Sequence, residues 1–240
     1  MKLPKRIKWV HVRRLYEALE PLLKFSQIKL KRPDSGRVLV LSPHIDDEVI
    51  GAGGSLRKHV QAGNEVRVVY FADCSGERIE EGRKAADIIG FRCLEFFEYG
   101  PKTLSEHPEI VDRLSAIIAD YRPEIVYVPS LFDRHNDHLA VNNYLSVLFS
   151  RHRFDFTVYA YEVWTALVPN LIIDISDTID AKKNAISQYG SQLSTNNWLD
   201  AAVSLNRYRG VTSGAGEYAE AFIRYSMKEY FALWEKVFGK

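Results

Sequence analysis

The 240-residue chain has only two cysteines, Cys74 and Cys93, and they form no C-x-x-C pair. Two free thiols in a reducing compartment are expected, not a disulfide framework. No apolar run reaches the ~18 residues of a membrane-spanning helix. The first residues lack the uninterrupted apolar core of a secretory signal, so the expected location is cytoplasmic. Net charge is only +1, which gives no argument for nucleic acid as a partner. Repeats and low-complexity linkers are missing as well. Gly51-Ala52-Gly53-Gly54 lacks the G-x-G-x-x-G spacing of a dinucleotide fingerprint, and acids separate it from the apolar run before it. No G-x-S-x-G elbow surrounds Ser42, so a serine nucleophile has no support there.

What is present is enough for a core. Hydrophobic residues make up 46% of the chain and charged residues 26%, as in an ordinary soluble α/β domain. Residues 1–36 differ in charge: ten lysines and arginines stand against Glu17, Glu20 and Asp34. Val10 to Phe25 carries Val12, Leu15, Tyr16, Leu19, Leu22 and Leu23 at helical spacing. A basic helix with its charged face in water needs no ligand to explain it. A peripheral contact with an anionic membrane is the other reading. The expected organisation is a basic helical extension, 1–36, and one domain, 37–240.

From Arg37 onward short apolar runs alternate with helical periodicity. Strands are expected at Arg37–Leu41, Glu65–Phe71, Arg92–Phe97, Glu124–Pro129, Phe156–Trp164 and Leu171–Ile175. Helices are expected at Glu48–Gly63, Glu77–Gly90, Glu106–Tyr121, His138–Ser150, Thr178–Gln192 and Asn196–Arg207. Residues 210–218 read as turn, and Phe222 to Phe238 as a tail ending in an amphipathic helix. This alternation predicts an α/β fold with a mostly parallel sheet. Ligands then bind beyond the carboxyl ends of the strands.

Two polar clusters follow predicted strands, so both fall on that edge. The first is His44-Ile45-Asp46-Asp47-Glu48; the second is His135-Asn136-Asp137-His138. Burying so many ionisable groups at strand ends is costly unless they pair or bind a metal. Acids at a helix N-terminus would explain the first cluster alone. The second makes a metal site the better reading. Two imidazoles and one carboxylate form a catalytic donor set that leaves a position for water, whose pKa the metal lowers to about 7. Residue type and spacing suggest His44, Asp47 and one histidine of the second cluster. Asp46 fits the proton acceptor, with Glu48 as its local competitor.

These motifs resemble those of the PIG-L/LmbE-like zinc-dependent deacetylases. Pro43-His44-Ile45-Asp46-Asp47-Glu48, followed by glycines, is similar to the family's PHPDDE motif. His135-Asn136-Asp137-His138 is similar to its HPDH motif. Arg78 to Gly90, Lys183 to Gln192 and Tyr218 to Phe222 look like its weaker signatures. The resemblance implies a Rossmann-like three-layer sandwich. It implies His44, Asp47 and His138 as metal ligands and Asp46 as general base. It implies His135 as the group that stabilises the oxyanion or protonates the leaving amine, and Arg78 as a substrate contact. Asp137 is expected behind the ligands, orienting them; Glu48 is expected either to orient a ligand in the same way or simply to favour the helix N-terminus. Ile45 and Asn136 replace prolines that carry no ligand atom, which bears on loop rigidity. Tyr189 stands where a histidine is frequent.

The expected function is removal of an N-acetyl group from a GlcNAc-type amino sugar or its conjugate by a zinc-dependent hydrolase. A donor set of this kind also accepts iron or cobalt. Tyr161, Trp164, Tyr189, Trp198 and Tyr208 are candidates for stacking on a sugar. Two alternatives stand beside this reading: an amidase on a non-sugar or sugar-conjugate amide, and a metal-binding protein without turnover. The intact pair Asp46 and His135 argues against the last. The sugar, its aglycone and the oligomeric state are left open, a homo-oligomer included.

Overall fold

The structure is a computed structural model that describes residue 10 and residues 27–152 and 154–238. The helix expected over 10–25 lies, apart from Val10, outside the described residues. In chain order the elements are β1 (Ile28–Leu30), β2 (Val38–Ser42), α1 (Asp47–Gln61), β3 (Val66–Ala72), α2 (Gly76–Ile89), β4 (Cys93–Tyr99), α3 (Ile110–Tyr121), β5 (Ile125–Pro129), α4 (Asn136–Arg151), β6 (Thr157–Tyr161), β7 (Leu171–Asp174), α5 (Ile179–Ile186), α6 (Gly190–Leu193), α7 (Trp198–Ser213), β8 (Ala219–Ser226) and α8 (Met227–Phe238).

Local chemistry explains most boundaries. Ser75 caps α2 by accepting from the Arg78 amide, and Gly90 ends it in the left-handed region at φ 99°. The helix expected from Glu106 starts later, at Ile110. Pro108 disfavours helical geometry at His107, which has φ −116° and ψ 72°. The helix expected over 178–192 is split, because the chain turns at Tyr189 to bury that ring. Strand β8 was not expected. Its sequence, AEAFIRYS, mixes charge with small residues and runs into the helical tail without a turn signal. Ile28–Leu30, within the stretch read as an extension, pairs with β7 at the sheet edge.

The eight strands form one sheet in the order β1-β7-β8-β6-β5-β2-β3-β4. All pairings are parallel except those of β8, which runs antiparallel to both β6 and β7. From β2 the chain winds outward through β3 and β4, then returns to place β5 on the other side of β2. Direction of winding therefore reverses between β2 and β5, the switch point where α/β sheets open a crevice. Alternate residues of β2 serve two layers. Val38 and Val40 pack with α1, α2 and α5, while Leu39 and Leu41 pack with α3, α4 and α8. The result is a three-layer sandwich.

The glycines of α1 let it lie against the sheet. A Cβ at Gly51 would stand 2.3 Å from the Tyr161 ring, and one at Gly54 would stand 2.7 Å from Ile175. Neither position tolerates a side chain without moving the helix that carries Asp47 and Glu48.

Candidate metal and catalytic site

Strands β2 and β5 are parallel neighbours, with Val38 opposite Ile125 and Val40 opposite Tyr127. Their carboxyl ends therefore release the two polar loops side by side. The first loop turns sharply at Asp46, whose φ is 151°, a value rare for a residue with a side chain. Three contacts hold it there. Arg78 Nη2 donates to the Ile45 carbonyl at 2.5 Å. The Asp46 amide donates to Glu48 Oε2 at 3.2 Å. The Asp46 carbonyl accepts from the Ile50 amide at 2.9 Å. Ile45 itself is fully buried beneath Gly82, where a Cβ would come within 2.7 Å of it. The loop is thus pinned without the proline.

Asp47 Oδ2 lies 3.1 Å from His44 Nδ1 and 3.1 Å from His138 Nε2. Tetrahedral ligands at 2.0–2.2 Å from an ion stand roughly 3.3–3.6 Å apart, so these spacings are close to a ligand set. Both ring nitrogens of His138 are buried and lack an aligned hydrogen-bond partner. Ion-pair distance without hydrogen-bond alignment is what a donor aimed at a cation would show. The residues fit a divalent metal on this ground. The imidazoles of His44, His135 and His138 also converge, with one nitrogen of each within 4.8 Å of the others. However, His135 caps α4, its Nδ1 accepting from the Asp137 amide at 3.2 Å. That bond leaves the proton of the neutral ring on Nε2, a donor.

Two carboxylates orient the histidines from behind. Asp137 is 3.0 Å from His44 Nε2 and also accepts from the Lys102 amide at 2.7 Å. This leaves His44 Nδ1 turned toward Asp47. Asp133, which the sequence reading did not single out, plays the matching part. Its Oδ2 is 3.5 Å from His138 Nδ1 and accepts from the Trp164 amide at 3.0 Å; its Oδ1 accepts from the His135 amide at 3.0 Å. The only signal in the sequence is an aspartate in the same post-strand loop, two residues before His135.

Charge in the site follows from this packing. Burial lowers the His44 imidazole, but bonds to Asp137 and Asp47 outweigh it and raise the pKa to about 10. His138 is likewise pulled down by burial and raised to about 9, mostly by Asp47. Burial opposes charge on Asp47, yet His138 and His44 hold it well below the usual carboxylate range. Asp46 differs. Burial and the neighbouring Asp47 push it well above its ordinary value, against Arg78. Burial, helped by the two other imidazoles, lowers His135 and favours its neutral form.

Glu48 is fully buried. Its Oε1 accepts from Tyr70 at 2.7 Å and from Tyr189 at 2.8 Å, and its Oε2 lies 3.0 Å from Ser42 Oγ. It organises the loop from below. Tyr189 therefore belongs to this cluster. Arg78 is 3.6 Å from Asp46 Oδ1 and also pairs with Asp73.

One cavity, about 180 Å³ in volume, is lined by His44, Asp46, Asp47, Asp73, Arg78 and His135, with Ile50, Pro101, Lys102, Trp164, Gln192, Asn196 and Trp198. His138 is fully buried beneath it. Of the five aromatic candidates, Trp164 and Trp198 reach this cavity. Tyr161 and Tyr189 are core residues, and Tyr208 is exposed outside its lining.

Residues 39–149 match the profile of the family described as PIG-L: GlcNAc-PI de-N-acetylase. The chain is 27% identical over 215 residues to a diacetylchitobiose deacetylase from Thermococcus kodakarensis, covering 76% of this chain and 80% of that protein. The fold superposes on a conserved protein, TT1542, from Thermus thermophilus with a TM-score of 0.69 and 26% identity, covering 78% of this chain and 94% of that one. It also superposes on N,N'-diacetylchitobiose deacetylase from Pyrococcus horikoshii with a TM-score of 0.69 and 22% identity, covering 96% and 97% of the two chains.

Proposed function

We propose that this chain, which belongs to the PIG-L/LmbE-like family, is a metal-dependent hydrolase that removes the N-acetyl group from an N-acetylated amino sugar or its conjugate. The observation that carries the reading is the meeting of Asp46, His135 and the set His44, Asp47 and His138 around one cavity at the β2–β5 switch point. The relationship to a diacetylchitobiose deacetylase supports the amino-sugar class.

His44, Asp47 and His138 would hold the ion, zinc being the proposed metal. The 3.1 Å contacts of Asp47 to both imidazoles favour it over His135 as third ligand. When bound, a divalent cation supplies Lewis acidity toward the amide carbonyl and a water of lowered pKa. Asp46, which lines the cavity beside Asp47, accepts the proton of the attacking water. His135 presents Nε2–H to the carbonyl oxygen as negative charge develops, or delivers a proton to the leaving amine. Arg78, held by Asp73, offers a substrate contact at the cavity wall. No helix among the described residues is long and apolar enough to cross a membrane. A peripheral contact through residues 1–36 belongs to the proposal; equal vesicle co-sedimentation of the full chain and of residues 37–240 would remove it.

The test is acetate release from N-acetylglucosamine and diacetylchitobiose, with metal content measured in parallel. Asp46→Asn should retain the metal and lose roughly 10²–10⁴ in rate. An unchanged rate would overturn the base assignment. Metal bound without hydrolysis of any acetamide would favour the non-catalytic alternative.

A further inference from the structure

The cavity at the switch point has two unlike walls. One is built by Arg78 on α2, Gln192 on α6 and Asn196 before α7. The other includes the loop between β4 and α3, which contributes Pro101 and Lys102. The two long cations of the lining differ. Arg78 is answered by Asp73 and by Asp46. Lys102 is exposed, and among the described residues no carboxylate pairs with its ammonium.

The backbone holds Lys102 there against its own preference. Its φ is 66°, in the left-handed region that glycine takes freely and a lysine rarely. Five non-glycine residues have positive φ among the described ones, and three of them, Asp46, Asp73 and Lys102, line this one cavity. Strain gathered in one place marks a functional site when surrounding contacts enforce it. Here they do. The Lys102 amide donates to Asp137 Oδ2 at 2.7 Å, the Leu104 amide reaches Asp137 Oδ1 at 3.4 Å, and Thr103 Oγ1 donates to the Gly100 carbonyl at 2.8 Å. Asp137 lies in the first turn of the 16-residue helix α4, so the root of Lys102 is fixed beside the positive end of that helix. A glycine would make the same backbone contacts without strain. The ammonium answers nothing in the chain, and what it suits is a negative group entering the cavity.

We infer that Lys102 is a specificity-determining residue and that the amino sugar taken by this cavity carries an anionic substituent, a phosphate or a carboxylate. This rests on the deacetylase reading above. A lysine meets either anion as a flexible point charge with three donors, without the planar fit that an arginine fork demands. The hydrolysis itself is the same, with the anion bound away from the reacting amide.

The experiment uses the full chain with its metal. The substrates are N-acetylglucosamine, its 1-phosphate, its 6-phosphate and N-acetylmuramic acid, whose carboxylate is carried on O3. Acetate release gives kcat/KM. Quenching of tryptophan fluorescence on Asp46→Asn gives Kd, since Trp164 and Trp198 line the cavity. At least one acidic sugar should exceed the neutral one roughly tenfold, mainly through KM, and the arm that gains tells phosphate from carboxylate. The advantage should fade as salt rises from about 0.01 M to about 0.5 M. Lys102→Asn and Lys102→Gly remove the charge and both accept the left-handed backbone, so folding is not at stake. Each should bring the acidic-to-neutral ratio down toward one, and Lys102→Arg should keep most of it. A merely structural role would slow all substrates together and leave the ratio unchanged, which would overturn the proposal. So would a wild type that favours no acidic sugar, or a preference that survives Lys102→Asn and therefore belongs to the metal. If no sugar amide is hydrolysed, the deacetylase reading fails. The Kd values still decide Lys102: tighter binding of an acidic sugar that is lost in Asp46→Asn/Lys102→Asn sustains it, and equal Kd values end it.

Discussion

His59 gives the sharpest prediction about stability. It sits on α1, fully buried, and ties that helix to β5, the strand that leads to the second histidine cluster. Its Nδ1 is 3.1 Å from Asn64 Nδ2 and its Nε2 is 3.0 Å from the Tyr127 hydroxyl. Asn64 can only donate through that nitrogen, so the neutral ring accepts at Nδ1 and donates from Nε2. A second proton would face the Asn64 amide. Burial accordingly lowers the imidazole from 6.5 to about 4, with Asp34 pulling weakly the other way.

The sign follows from proton counting. Between pH 6.5 and 4 the unfolded chain binds a proton at His59 that the folded chain refuses. Stability from this residue is complete above pH 6.5 and is lost as pH falls toward 4. At 1.36 kcal/mol per pH unit, the whole interval is worth about 3 kcal/mol, of which about 2 kcal/mol is gone by pH 5. The assay is urea unfolding of the wild type and His59→Gln from pH 7.5 to 5. Acidic groups titrate in both proteins and cancel in the difference. The wild-type advantage should shrink by about 2 kcal/mol across that range. Parallel curves would refute the reasoning, because a His59 that stays neutral in one state only must bend one of them.

Three further outcomes are expected. Asp133→Asn should lower metal affinity and activity about 10–100-fold by releasing His138 and the His135 loop, read by metal retention on dialysis. Tyr189→Phe removes one donor from the buried Glu48 carboxylate and should cost about 1.5–3 kcal/mol in chemical denaturation. Lys182 and Glu220 form a fully buried pair at 2.6 Å, and Glu220 also accepts from the Gly54 and Ser55 amides of α1. Lys182→Met should therefore cost about 3–5 kcal/mol in chemical denaturation, because it leaves the Glu220 charge buried without its cation.

Much of the site could be read along the chain because its donors are local. His44, Asp46 and Asp47 lie within one turn after one strand, and His135 and His138 open one helix. Parallel β/α alternation sends every such loop to the same sheet edge, so two motifs far apart in sequence were expected to meet. The close approach of α1 was also legible in its glycines. These features follow from residue type, period and handedness, which do not depend on knowing the partner surface.

Other features needed the tertiary structure. Asp133 carries no motif; its role arises because β5 and β6 are neighbours, so one carboxylate reaches His138, His135 and the Trp164 amide together. Strand β8 has no strong pattern of its own and is defined by the gap between β6 and β7, which also buries Glu220 against Lys182. Tyr189, a candidate for stacking on a sugar by residue type, instead donates its hydroxyl to Glu48, because the chain turns after α5 and buries the ring. Sequence alone determined which residues carry the chemistry and which edge they share. Packing decided which carboxylate holds which histidine and which aromatic rings reach the cavity, because distances between separate elements are set only when all layers close on one core.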